Sequence, residues 1–228
     1  MNSGESTCWT IVMQAAQGDH AARGRFAELY LAIVRAYLIS RWRTNRLMTE
    51  LDDAVQEVFL ECYRPGGALS RLDRDGPGAF RTFLFAVVTN VARRHEERVL
   101  DPRRATPDAE ELARVADDAL TQSVAFDREW ARAMLAQARE RHRSAAANDA
   151  DALQRVDLLD LRFREGLPIR GIAERWKMPA ERVHALYRKA REEFKLALRE
   201  EVAFQGHRGE AAAERECRRI LEIVSADR

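Results

Sequence analysis

The chain is short of glycine and proline, with 11 and 6 among 228 residues. A β-rich fold built on tight turns needs more of both, so that class is disfavoured. Cysteine is scarce too. Cys8, Cys62 and Cys217 are isolated and odd in number, and none sits in a CxxC or Cys/His spacing. No disulfide framework or zinc-ligand pattern is therefore expected. No run of about 18 apolar residues occurs, which excludes a helical membrane span. The opening MNSGESTCWT has no basic stretch followed by an apolar core. No secretory leader is expected, and a reducing, cytoplasmic setting is the plain reading. Neither sign of charge dominates, since 38 Lys and Arg stand against 37 Asp and Glu, net +1. That balance speaks against a strongly basic single-purpose nucleic-acid binder and against a disordered acidic tail. Catalytic signatures are missing: there is no P-loop, GxSxG or HExxH, and the five histidines are scattered. The expectation is a protein that is not an enzyme and carries no cofactor and no metal.

What the chain does contain is helix former. Hydrophobic residues make up 46%, enough to fill a core, and Ala, Leu, Arg and Glu predominate. The expected fold is all-α, with two small helical domains joined by an acidic linker. Residues 9–17 and 22–43 carry apolar positions at helical spacing. In residues 50–64, Leu51, Ala54, Val55, Val58, Phe59 and Cys62 form one amphipathic stripe, stopped by Pro65-Gly66-Gly67. After a loop at Asp75–Gly78, residues 79–98 form the next helix. Residues 99–120 hold two prolines, and from Leu100 to Leu120 six acids stand against three bases. They read as a linker with a short helix at 108–119. Further helices are expected at 123–143, 150–165, 168–176 and 180–204, with the Ala-rich stretch Arg141–Asp151 as a loop. Past a break at Gly206–Gly209 comes a last helix with the stripe Cys217, Ile220, Leu221 and Val224. The expected divisions are 8–99, a linker over 100–122, a domain over 123–205 and an extension over 206–228.

Three segments could carry function. In 166–194, Gly166 suits a helix end, Pro168 a helix start, and Lys177-Met178-Pro179 a tight turn. Two short helices joined by about three residues are the geometry that sets a second helix into the major groove. Glu181, Arg182, His184, Ala185, Arg188 and Lys189 face outward, and Arg182–Arg199 carries six bases against two acids. A local positive strip is what phosphate contact needs. A solvated helical hairpin is the plain competitor. The second segment is the 50–61 helix, where Glu50, Asp52, Asp53, Glu57 and Glu61 have no base among them. A single-sign face invites a basic partner, although acids near a helix start also stabilise it. The third is 79–98, with Phe80, Phe83 and Phe85 followed by Asn90, Arg93, Arg94, His95 and Arg98. Rings beside amide and guanidinium groups suit unstacked bases. Phe80 and Phe83 are expected in the core, with Phe85 and Asn90 open. Trp9, Trp42, Trp130 and Trp176 read as core or domain contacts, and Cys62 and Cys217 as core.

In this order the segments resemble bacterial RNA polymerase sigma factors of the extracytoplasmic-function (ECF) group, in their two-domain minimal form. LDDAVQEVFLECYR looks like the D-x-x-Q-E-x-F segment that binds the polymerase clamp helices. FRTFLFAVVTNVARRHEER resembles the segment that melts and reads the minus-ten element. LDLRFREGLPIRGIAERWKMPAERVHALYRKAREEFKLAL is similar to the minus-thirty-five reader. TCWTIVMQAAQGD, before a relatively long helix, looks most like the planctomycete kind. The resemblance spans about residues 9–204. It implies that Asp53, Gln56 and Glu57 contact core RNA polymerase. It implies that Phe85, Asn90, Arg93, Arg94 and Arg98 lie at the minus-ten strand, and Arg182, His184, Arg188 and Lys189 at the minus-thirty-five duplex. The implied partners are bacterial core RNA polymerase and promoter DNA, with an anti-sigma factor or other regulator as a further candidate and no membrane.

The chain departs from that pattern in places. Thr89 stands where arginine is frequent, and Arg94 where aspartate is. Lys177 stands where glycine is usual, and a lysine at positive φ carries a cost, which raises the alternative of a different turn. Glu181 and His184 replace the usual small or lysine residues, so the base sequence read is open. The extension at 206–228 lies outside the minimal pattern and is expected either to pack back on the last domain or to make a regulatory contact. Two other classes compete. One is a stand-alone helix-turn-helix repressor with a helical dimerisation domain. The other is a helical interaction protein that does not touch DNA.

Overall fold

The computed structural model describes residues 8–43, 46–65, 79–99, 109–206 and 209–226. Among them the regular elements are all helical, with no strand. They are α1 (Cys8–Ala16), α2 (His20–Trp42), a 3-10 turn (Arg46–Glu50), α3 (Leu51–Tyr63), α4 (Ala79–Val99), α5 (Ala109–Ala146), α6 (Ala150–Phe163), α7 (Ile169–Trp176), α8 (Ala180–Phe204) and α9 (Glu210–Ser225). None is long and apolar enough to cross a membrane. The expected loop at Asp75–Gly78 lies outside the described residues, as do residues 100–108 of the expected linker.

The chain forms two compact units. One joins Met1–Ala133 to Val202–Arg228, and the other is Met134–Glu201. Both divisions therefore fall inside helices, α5 and α8. These bounds differ from those expected. Where a linker was read through residue 122, α5 is continuous from Ala109 to Ala146. Its helix former content outweighs the acidity that marked it as a tether. The Ala-rich stretch after Arg141 is likewise helical as far as Ala146. Alanine is the best helix former, and the chain turns only at 147–149, where the Asp149 side chain caps α6 by accepting from the Asp151 and Ala152 amides.

The first unit is packed with rings. Trp9, Phe26, Tyr30, Phe80, Phe83, Phe126 and Trp130 are buried. Phe80 meets Trp9 edge-on at 5.3 Å and Tyr30 at 4.9 Å. Tyr30 stacks on Trp130 at 6.1 Å. The preference of aromatic pairs for edge and offset geometry lets this many rings share one core. Phe126 and Trp130 are why the unit extends past residue 122. The C-terminal segment belongs here too. The Tyr30 hydroxyl donates to buried Gln205 Oε1 at 2.7 Å, and α9 buries Ala213, Cys217 and Ile220. Leu221, expected on that stripe, is 44% exposed instead. Arg219 on α9 pairs with Asp127 on α5 at 3.2 Å, and the other Asp127 oxygen accepts from Arg81 on α4.

The second unit has an aliphatic core of Leu158, Leu161, Ile172, Ala173 and Val183, bordered by Leu167, Ile169, Trp176, Met178, Leu186 and Tyr187. Its charges are fixed behind that core. Arg139 grips Asp160 with two hydrogen bonds of 2.6 Å, and buried Arg155 reaches Glu193 at 2.8 Å. Two-point guanidinium contacts of this kind hold helices in register as well as stabilising them.

Candidate functional site

Two surfaces gather the residues singled out above, one on α3 and α4 and one on α7 and α8. On α3, the expected stripe is buried at Leu51, Ala54, Val55, Val58 and Cys62 and half-buried at Phe59. Packing that stripe brings the neighbouring acids to the seam with α4. One Glu57 oxygen accepts from Arg98 Nη2 and from His95 Nε2, each at 2.9 Å. The other lies 2.9 Å from Arg94 Nη2, which also reaches Glu61 at 3.1 Å. Burial by itself would raise the Glu57 carboxyl. The hydrogen bonds from Arg98 and His95 and the nearby Arg94 charge outweigh it and hold the group below the usual carboxylate range.

The outward acidic face is therefore not free. Glu57 and Glu61 pair across the seam, Glu50 lies 3.7 Å from buried His95, and Asp52 pairs with Arg35. Of the five acids, Asp53 alone makes no ion pair among the described residues. It shares an exposed stripe with Gln56 and Leu60, at i, i+3 and i+7, and Leu60 is 62% exposed. A large apolar side chain left in water beside a lone carboxylate is the part of α3 still able to meet a partner.

The α4 residues divide the same way. Phe85 is half-buried, with its ring 5.1 Å from Phe126 and 5.8 Å from Tyr37. It fills a gap between α2 and α5 rather than standing in solvent. Arg94 and Arg98 are held by Glu57. Asn90 and Arg93 remain exposed on one stripe with Thr82 and Ala86, and the nearest acid to Arg93 is Glu97 at 3.8 Å.

On the second unit the arrangement is different. Helix α7 ends at Trp176, and Lys177 takes the left-handed conformation at φ 51° and ψ 46°. Its amide donates to Glu174 O at 3.1 Å, and the Met178 amide donates to Ala173 O at 2.9 Å. These are the paired bonds of a Schellman end, with Met178 packed on the core at the position where such ends carry an apolar contact. The turn is thus the usual one, although it costs lysine about 1–2 kcal/mol that glycine would not incur. Two further residues lead into α8, which starts at Ala180. Val183 and Ala190 face the core. Arg182, His184, Arg188 and Lys189 are all exposed, and none of their side chains makes an ion pair or hydrogen bond among the described residues. Arg164, Arg170 and Lys177 are exposed as well, giving residues 164–189 seven bases against three acids.

Two features of these surfaces were not foreseen. One is the seam between α3 and α4. Its signal was in the spacing, since Glu57/Glu61 and Arg94/Arg98 are each four apart and can pair rung by rung. The other is that Arg164, Arg170 and Lys177 extend the cationic region beyond α8. No protein-family model matches the chain, and no curated protein matches it.

Proposed function

We propose that the chain is a promoter-specificity factor of the sigma type, which joins bacterial core RNA polymerase and directs it to duplex sites recognised by α7 and α8. The observation that carries the reading is the helix-turn-helix geometry of α7 and α8, with its exposed, unpaired cations at the start of the second helix. Phosphate contact needs cations whose charge is not already neutralised. The stripe Asp53, Gln56 and Leu60 supports the polymerase side of the proposal, and Asn90 with Arg93 the contact with the opened strand. The near-neutral chain binds DNA weakly alone, and tethering to polymerase raises the effective concentration of both contacts.

The test is co-elution with bacterial core RNA polymerase. The suitable variant is Asp53→Lys/Gln56→Lys, because Glu57→Lys would also break the seam with Arg94 and Arg98. Wild type moving to the polymerase peak, with the variant left behind but equally stable, is the expected result. Failure of the wild type to move, with duplex binding retained, transfers the reading to a stand-alone helix-turn-helix repressor.

A further inference from the structure

Helix α8 carries one acid among its exposed leading residues. Glu181 lies in the first turn, is exposed, and makes no ion pair or hydrogen bond among the described residues. In a surface otherwise assembled from cations, an unpaired carboxylate works against phosphate binding. Its position on the helix gives it a use. At 3.6 residues per turn, Glu181, Ala185 and Arg188 fall within about 60° of one another, on the side opposite buried Val183 and Ala190. Arg182 and Lys189 lie about 80–100° to one side of Glu181, and His184 lies about 60° to the other. A helix seated in the major groove turns its outermost stripe to the base edges and its flanks to the two phosphate walls. The flanks here carry the basic or imidazole side chains that walls need. The stripe carries an acceptor, a methyl group and a guanidinium.

Resting on the duplex-reading role of this helix, we infer that Glu181 is a specificity-determining residue that selects cytosine. A carboxylate accepts from the cytosine 4-amino group, finds only acceptors on guanine and thymine in the major groove, and on adenine meets the N7 acceptor beside the amino group. Arg188 pairs with guanine O6 and N7, and the Ala185 methyl lies between them, where it suits a thymine methyl. Seven residues at 1.5 Å separate Glu181 from Arg188 by about 10 Å, which is about three base-pair steps. The element read therefore contains a cytosine and a guanine about three steps apart. Exclusion is the second half of the device, since the same carboxylate penalises every duplex that sets an acceptor opposite it.

A first-turn acid also favours a helix start through the macrodipole. That role predicts a change in melting temperature and in affinity for all duplexes alike. The base-reading role predicts a change at one base position. The experiment is selection from a pool of randomised duplexes by the full chain, with and without bacterial core RNA polymerase, for wild type, Glu181→Gln and Arg188→Ala. The expected result is a cytosine preference lost by roughly five- to 150-fold in Glu181→Gln while the guanine preference stays, and the converse in Arg188→Ala. Enriched duplexes without a fixed cytosine, or a cytosine preference unmoved by Glu181→Gln, overturn this assignment and leave duplex binding standing. No enrichment by the wild type under either condition overturns duplex reading and this assignment together.

Discussion

Two regions of the molecule hold arginines on helix faces, and they use them in opposite ways. On α4, Arg94 and Arg98 are drawn into contact with Glu57 and Glu61 of α3. On α8, Arg182, Arg188 and Lys189 extend into solvent and make no ion pair among the described residues. The two segments look alike as composition. What separates them is whether the apolar stripe of the neighbouring helix carries acids along its edge. Where it does, cations become mortar between helices, and where it does not, they stay available to a polyanion. The cores differ in parallel, the first unit being filled by rings and the second by aliphatic side chains.

The largest effect that would test this contrast lies in the cores. Trp130→Ala should cost about 3–5 kcal/mol in urea unfolding, because it removes a ring that stacks on Tyr30 and Phe126. Leu158→Ala should cost about 2–5 kcal/mol in the second unit, and its own transition should carry the loss. A Trp130→Ala cost below about 1 kcal/mol would deny α5 its place in the first core.

Next comes the difference in charge use. Arg188→Ala/Lys189→Ala should weaken duplex binding at least roughly tenfold and lower the slope of log affinity against log salt by about 1, the share of Lys189. Arg94→Ala/Arg98→Ala should leave that slope alone and lower stability instead. Equal slopes for the two double variants would erase the distinction.

Acid should loosen both units. Hydrogen bonds from Arg139 hold the Asp160 carboxyl below its usual range against opposing burial. Burial would raise Glu193, but Arg155 and His142 more than reverse it. Glu57 is held down likewise. A carboxylate depressed in the folded state contributes stability above its unfolded pKa, and that stability is lost as pH falls through the folded value. Unfolding midpoints of the wild type should therefore drop as pH is lowered from about 5 towards 3. Glu57→Gln should start about 1 kcal/mol less stable at neutral pH and lose less over that acid range, and a slope equal to wild type would contradict the seam.

The smallest effect is at the turn. Lys177→Gly should raise stability by about 0.5–1 kcal/mol, the relief at positive φ being partly offset by the greater freedom of unfolded glycine. A lower melting temperature would mean that the lysine does something there besides turning the chain.

Much of the fold was legible because periodicity speaks directly of burial. The stripe of α3 and the span of α8 follow from the spacing of apolar residues alone. The turn after α7 is read from Lys177-Met178-Pro179, whereas the left-handed position at residue 177 comes only from the resemblance, which has glycine there and left a different turn open. The reach of α5 was less legible, because acidity and proline nearby outweighed helix propensity in the reading. That Phe126 and Trp130 complete the first core is a long-range fact, and no local pattern encodes it. The candidate surfaces divide similarly. Outward residues on α8 could be picked from its own helical wheel. The fate of Arg94, Arg98 and Phe85 depended on partners 30 to 60 residues away, and a wheel drawn for α4 shows none of them.

The first unit is closed by residues that follow the second unit in sequence. Gln205, Ala213, Cys217 and Ile220 are made after the second unit. During synthesis, residues 134–201 leave the ribosome complete while the ring core ahead of them still lacks its final layer. A product stopped short of Gln205 would hold an intact second unit on a first unit whose Tyr30 hydroxyl has lost its acceptor. Such fragments would betray themselves to chaperones and proteases by their uncovered aromatic surface, so synthesis past Ile220 is itself a condition for a lasting first unit.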